Sequence, residues 1–188
     1  MGALAIPRLS VEEYLAIDRA AELKSEYRDG EMFPLAAVSW PHAQLAVTVA
    51  AALRSRLQGG PCRVGVAPIR VRVAPTEFVY PDIVVVCGKP ALTDEHADTM
   101  TNPKLIVEVL SPSTEDYDYG KKFAGYRKLA SLEEYVLVSQ GARLVEVFRR
   151  TPEGRWTLSS HPGEDASIPL DSLGFAIPAG EIYSDIEL

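Results

Sequence analysis

The chain has only two cysteines in 188 residues, Cys62 and Cys87. They are too few for a zinc cluster, which gathers several ligands at short, recurring spacings. Both sit in apolar segments and read as reduced core residues, since disulfides are rare in the cytoplasm; the sequence alone leaves a disulfide open. Long apolar runs are also missing. None reaches the ~20 residues that cross a bilayer. The first residues lack the basic start and apolar centre of a signal peptide, so the expectation is a cytoplasmic chain with no membrane partner. Positive charge is scarce: 19 Lys and Arg stand against 26 Asp and Glu, a net charge of −7. That weighs against a broad nucleic-acid surface, because non-specific DNA affinity rests on cations at phosphates. A local basic patch or a bound metal would have to supply the attraction. Repeats, low-complexity tracts and linker-like stretches are absent too, so residues 1–188 read as one domain. A hydrophobic content of 47% is enough to bury a sizeable core.

The informative stretch runs from Tyr80 to Tyr126. It holds two short apolar runs rich in β-branched residues, Tyr-Pro-Asp-Ile-Val-Val-Val at 80–86 and Lys-Leu-Ile-Val-Glu-Val-Leu at 104–110. Runs of this length bounded by turn formers predict strands, and their near-continuous apolarity predicts the middle of a sheet. Each carries one carboxylate, Asp82 and Glu108. An ionised carboxylate inside a sheet is costly unless it is paired or binds a metal. Two of them on neighbouring strands invite a hard cation with oxygen ligands. A basic helix follows from about Asp118 to Leu129. Asp118, Lys122 and Tyr126 are spaced by four and share one face, while Lys121 points about a hundred degrees away.

The rest of the chain supplies cover. Residues 10–18 predict a short helix with Ser10 and Glu13 at capping-box spacing. Asp29-Gly30 predicts a hairpin turn between 26–28 and 31–33. A second helix is expected from Pro41 to Leu57, stopped by Gly59-Gly60. Residues 63–73 alternate and predict one strand with an irregularity near Pro68, with Arg70 and Arg72 half-solvated on it. Residues 88–103 predict a solvated loop. Strands follow at 134–138, 144–148 and, at an edge, 156–160; the tail is expected to be irregular covering structure. The order of elements gives an α/β or α+β layer domain with a mixed central sheet flanked by helices.

These motifs carry a resemblance. Tyr-Pro-Asp-Ile-Val-Val-Val at 80–86, Val-Glu-Val-Leu-Ser-Pro-Ser-Thr at 107–114, Asp118-x-x-x-Lys122-x-x-x-Tyr126 and Glu134-Tyr135 stand in order. Glu-Tyr-Arg-Asp-Gly-Glu at 26–31, His42 and the tail from Leu170 to Tyr183 add to them. The set resembles the bacterial Uma-type family of restriction endonuclease homologues within the PD-(D/E)XK nuclease superfamily, over nearly the whole chain. The resemblance implies a restriction-endonuclease-like fold and Mg²⁺-dependent hydrolysis of DNA phosphodiester bonds, with Mn²⁺ as a substitute ion. It implies that Asp82 and Glu108 hold the metal and that Lys122 completes the catalytic set. The superfamily places its lysine two residues after the second acid; Leu110 stands there, so the resemblance implies a lysine moved to the following helix. Glu26, slightly ahead of Glu31, and His42 are implied as accessory or substrate-contacting residues.

Plainer readings compete. Asp82 at a strand end caps a loop, Glu108 forms a buried ion pair, Lys122 is a solvated helix lysine and Asp118 a helix cap. The corresponding functional alternatives are a catalytically silent module of the same fold that binds nucleic acid or a protein, and a metal-dependent hydrolase of another phosphoester. A homodimer is expected only on the argument that cutting both strands of a duplex is simplest with two sites about a two-fold axis.

Overall fold

Ser10 begins the described architecture as a helix cap, accepting from the Glu13 amide while the Glu13 carboxylate accepts from its own. The computed structural model describes residues 8–66, 68–184 and 186–187. Helix α1 (Val11–Ala20) leads into hairpin β1 (Ser25–Arg28) and β2 (Glu31–Pro34). The turn between them needs left-handed backbone at both central residues, and Asp29 and Gly30 have φ of 47° and 95°. Helix α2 (Trp40–Leu57) follows, capped by Ser39 with Pro41 in its first turn. Strands β3 (Cys62–Val66), β4 (Arg70–Ala74), β5 (Glu77–Val79), β6 (Ile83–Cys87), β7 (Thr99–Met100) and β8 (Leu105–Leu110) come next. A composite helix then runs as α3 (Glu115–Tyr117), a π-helical turn (Asp118–Lys122) and α4 (Phe123–Tyr126). The chain closes with β9 (Glu134–Ser139), β10 (Leu144–Arg150), β11 (Trp156–Pro162), β12 (Ser167–Leu170), β13 (Phe175–Pro178) and α5 (Ala179–Ile182).

The strands form a six-stranded sheet of order β11-β10-β9-β8-β6-β3, a five-stranded sheet of order β2-β1-β5-β4-β7, and the hairpin β12-β13. The larger sheet is mixed because β8 and β9 are parallel while its other pairs are antiparallel. A parallel pair needs a crossover, and the composite helix provides it.

Strand β8 is buried along its whole length. Its alternation divides the core: Leu105, Val107 and Val109 pack with α2 and the tail, and Ile106 and Leu110 pack with Phe123 and Tyr126 of α4. Glu108 belongs by period to the α4 face. Leu110 is therefore core, as expected, on the same side of the sheet as Glu108. A smaller cluster of Tyr14, Tyr27 and Phe78 seats α1 on the second sheet, with the two tyrosine rings stacked at 4.6 Å.

Five expectations change. The run 63–73 is two strands in two sheets, because Pro68 has no N–H to extend the ladder and the chain crosses over there. Arg70 is not half-solvated but 2% exposed, its guanidinium bonded to Asp18, Asp98, Thr99 and the Tyr80 hydroxyl. The 88–103 stretch is not all solvated loop, since β7 pairs in parallel with β4 and Thr99 is buried. The tail is a hairpin plus a helical turn, and Ile168, Leu170, Ile177 and Ile182 complete the core under α2. Cys62 and Cys87 are disulfide-bonded rather than reduced. They are register partners across β3 and β6, a proximity that a compartment argument could not foresee. Among the described residues, no helix is long and apolar enough to cross a membrane.

Candidate active site

The register of β6 on β8 pairs Ile83 with Val107, and one step further sets Asp82 opposite Glu108. Opposed residues of an antiparallel pair share a sheet face, so the two carboxylates converge. The contacts are direct. The Asp82 amide donates to Glu108 Oε2 at 3.3 Å, and the Val109 amide donates to Asp82 Oδ2 at 2.8 Å.

Three elements close around this pair. Helix α2 begins at the site because Ser39 caps it, its Oγ accepting from the His42 amide; His42 Nε2 then lies 3.1 Å from Asp82 Oδ1. The π-helical turn brings Lys122 down onto Glu108, with Nζ 2.8 Å from Oε1. The same Nζ donates to the Tyr80 carbonyl at 3.2 Å and lies 3.6 Å from Glu26 Oε1 and 3.7 Å from Asp118 Oδ1. One turn on, Tyr126 donates its hydroxyl to Glu108 Oε1 at 2.7 Å. From β1, Glu26 accepts from the Tyr80 amide at 3.1 Å and from the Tyr117 hydroxyl, which in turn accepts from Arg28 at 2.9 Å.

All five residues singled out by sequence — Glu26, Asp82, Glu108, Lys122 and His42 — therefore meet in one cleft of about 640 Å³. Glu31 is exposed and lies outside it. Lys122 is neither solvated nor a surface helix lysine, being 7% exposed. Asp118 does more than cap a helix: it is buried at 3% and faces Lys122. Sequence reasoning missed Tyr117 and Arg28 as lining residues and ranked Lys121 below Lys122. Arg28 had a signal, since it shares the β1 face of Glu26 by the period of two. Lys121 was placed away from the site on α-helical geometry, but the wider π turn leaves both lysines on the cleft.

Burial pushes the Glu108 carboxyl well above its usual range; Lys122 opposes this, and Asp82 and Asp118 add to it. Asp118 is raised for the same first reason, against Lys122 and a Thr114 hydrogen bond. Burial acts on Asp82 as well, but the His42 hydrogen bond and charge, Lys122 and the Val109 amide outweigh it, and Asp82 is lowered. Burial would neutralise Lys122, yet the surrounding carboxylates, Glu108 foremost, hold it protonated.

Four carboxylates line the cleft, Glu26, Asp82, Glu108 and Asp118, against the three fixed cations Arg28, Lys121 and Lys122, a balance that suits a hard divalent ion. No group of three Asp, Glu, His or Cys side chains closes on one point among the described residues. The groups that would hold such an ion are two carboxylates, Asp82 and Glu108. Binding through a pair of carboxylates is a usual habit of Mg²⁺.

The fold recurs in a crystal structure described as a putative nuclease belonging to DUF820 from Anabaena variabilis. Its TM-score is 0.78 at 18% identity, with 94% of this chain and 98% of that chain covered. The shared architecture is the restriction-endonuclease-like one. Two uncharacterized proteins of Synechocystis sp., slr1290 and sll1609, are 32% and 34% identical over 178 and 161 residues. They match 94% and 85% of this chain and 92% and 91% of their own lengths. Residues 11–180 match the family described as Uma2, "Putative restriction endonuclease", and the chain belongs to that family.

Proposed function

We propose that the chain is a Mg²⁺-dependent endonuclease that hydrolyses DNA phosphodiester bonds, with Mn²⁺ able to substitute. The observation that carries this reading is the opposition of Asp82 and Glu108 across β6 and β8, at the floor of an open cleft and under a buried lysine. A bound divalent ion would lower the pKa of a water and neutralise charge on the phosphoryl oxygens. Asp82 and Glu108 would hold it. His42 orients Asp82 through Oδ1 while the Val109 amide fixes Oδ2, so the carboxylate is preset before any ligand arrives. Tyr126 does the same for Glu108. Lys122 stays protonated and supplies a positive charge at the place where negative charge develops on the phosphate. Glu26 helps hold that ammonium in place.

A second reading, a catalytically silent module that binds nucleic acid or a protein partner, draws on the lack of a three-ligand cluster among the described residues. In that case Lys122–Glu108 is only a buried ion pair. One experiment separates the two. The purified chain is incubated with supercoiled plasmid and Mg²⁺ or Mn²⁺; cleavage that disappears with EDTA and in Asp82→Ala supports the nuclease, and metal-independent or Asp82-independent cleavage rejects it. A homodimer belongs to this reading only if both strands of a duplex are cut together.

A further inference from the structure

We propose that the cleft contains a nucleobase subsite, so that the substrate presents an unpaired DNA strand, not an intact duplex, to Asp82 and Glu108. This rests on the nuclease reading for the placement of the phosphate, and it goes further by naming what lies beside it. The same cleft has an apolar lining: Phe33 from β2, Leu35, Ala36, Ala37 and Val38 from the β2–α2 connection, and Pro112 after β8. Phe33 and Val38 are 44% and 62% exposed, so this surface is open to solvent beside a cluster of charges. A duplex turns sugars and phosphates outward and would meet that lining with its most hydrophilic surface. An unpaired strand can turn a base into it, because every base has a π-face that packs on aromatic and apolar side chains.

Charge points the same way. Duplex binding draws its affinity from Lys and Arg that neutralise several phosphates along the backbone. Of the cations lining this cleft, Lys122 is bound to Glu108 and Arg28 to Glu77, while the His42 ring lies against Asp82. Lys121 is exposed and in no ion pair among the described residues. One free lysine suits a single phosphate next to the scissile one. Polar recognition is available at the rim, where Gln140 Oε1 accepts from Ser39 Oγ, leaving the amide hydrogens as donors to a base. The cleft volume of about 640 Å³ is that of a pocket for a small ligand rather than of a surface track.

The test is binding without metal, so that nothing is cut. Fluorescence anisotropy of the full chain compares a labelled single-stranded oligodeoxynucleotide, its duplex, and the same single strand with its bases removed but its sugar-phosphate chain intact. The expected result is that the intact single strand binds about tenfold tighter than either of the others. Phe33→Ser combined with Val38→Asn should erase that advantage while leaving abasic binding unchanged. Both positions are exposed, and an unchanged melting temperature checks that the fold is retained. Equal affinity for intact and abasic strands, tighter binding of the duplex, or an unaltered preference in the double variant would each overturn the subsite. A parallel incubation with Mg²⁺ keeps the two readings apart. If no DNA is cut under any condition, the nuclease reading fails, and the anisotropy result still decides the subsite.

Discussion

Replacing Lys122 by alanine would leave Glu108, Glu26 and Asp118 facing one another without the ammonium they share. A lysine that acts mainly in the transition state predicts a variant that loses cleavage but keeps its stability. The structure changes the second half of that expectation, because removing one partner of a buried ion pair costs about 3–5 kcal/mol. Lys122→Ala should therefore abolish cleavage and also lower denaturant stability by about 3 kcal/mol. Lys122→Met combined with Glu108→Gln should recover much of the stability and none of the activity. A stability loss in the double variant equal to the sum of the two single losses would mean that the pair is not coupled. Lys121→Ala should do the reverse, weakening DNA binding with no change in melting temperature. Asp82 and Glu108 were legible because an acid inside an apolar run is a local anomaly; Lys122 was singled out by the family resemblance, with the four-residue spacing from Asp118 to Tyr126 in support. Tyr117 was not, because its role comes from meeting Glu26 and Arg28 across more than eighty residues.

The crossover helix shows how closely an element must approach to place one side chain. A Cβ at Gly125 would lie 3.2 Å from Glu77 Oε1 and 3.3 Å from Val73 Cγ2. Alanine in a helix interior is ordinarily worth about 1 kcal/mol over glycine. Here neither neighbour can yield. Glu77 is held by Arg28 and Lys128, and Val73 is 5% exposed in the core. Gly125→Ala should thus destabilise the protein by about 1 kcal/mol or more despite its better propensity. It should also lower cleavage by lifting Lys122 off Glu108. A variant more stable than wild type would show that α4 has room to move. Elements with a strong period or a cap were legible in the sequence: α1, the β1–β2 hairpin, α2, β8 and the β9–β10 pair. The break at Pro68 was visible as an irregularity but not as a change of sheet, because alternation continues on both sides of it. The tail hairpin was not legible, since its apolar residues are single and spaced, and acquire a pattern only against the α2 face.

At the scale of the molecule, charges remote from the cleft tie helix α1 to the five-stranded sheet. Asp98 links the 88–103 stretch to α1 through Arg19 and to β4 through Arg70. The Arg19 hydrogen bond, against the cost of burial and with help from Thr99 and Arg70, holds the Asp98 carboxyl well below the usual range. A depressed folded-state pKa gives stability that is complete above the unfolded value, about 3.9, and lost as pH falls toward the folded one. The melting-temperature gap between wild type and Asp98→Asn should be constant from neutral pH to about pH 4 and narrow below it. A gap that widens in acid would invert the assignment. The site couples to the whole fold by the same logic, with a metal in place of a proton. Burial first, and then the charges of Asp82 and Asp118, make Glu108 hard to ionise, and an ion that binds at this folded pair stabilises the folded chain and not the unfolded one. At a hundred times its dissociation constant, such an ion adds about 2.7 kcal/mol, a rise of about 5–10 °C for a chain of this size. Mg²⁺ or Mn²⁺ should therefore raise the melting temperature with the logarithm of concentration in wild type, and far less in Glu108→Gln. An equal rise in both would place the ion elsewhere and take the metal away from β6 and β8.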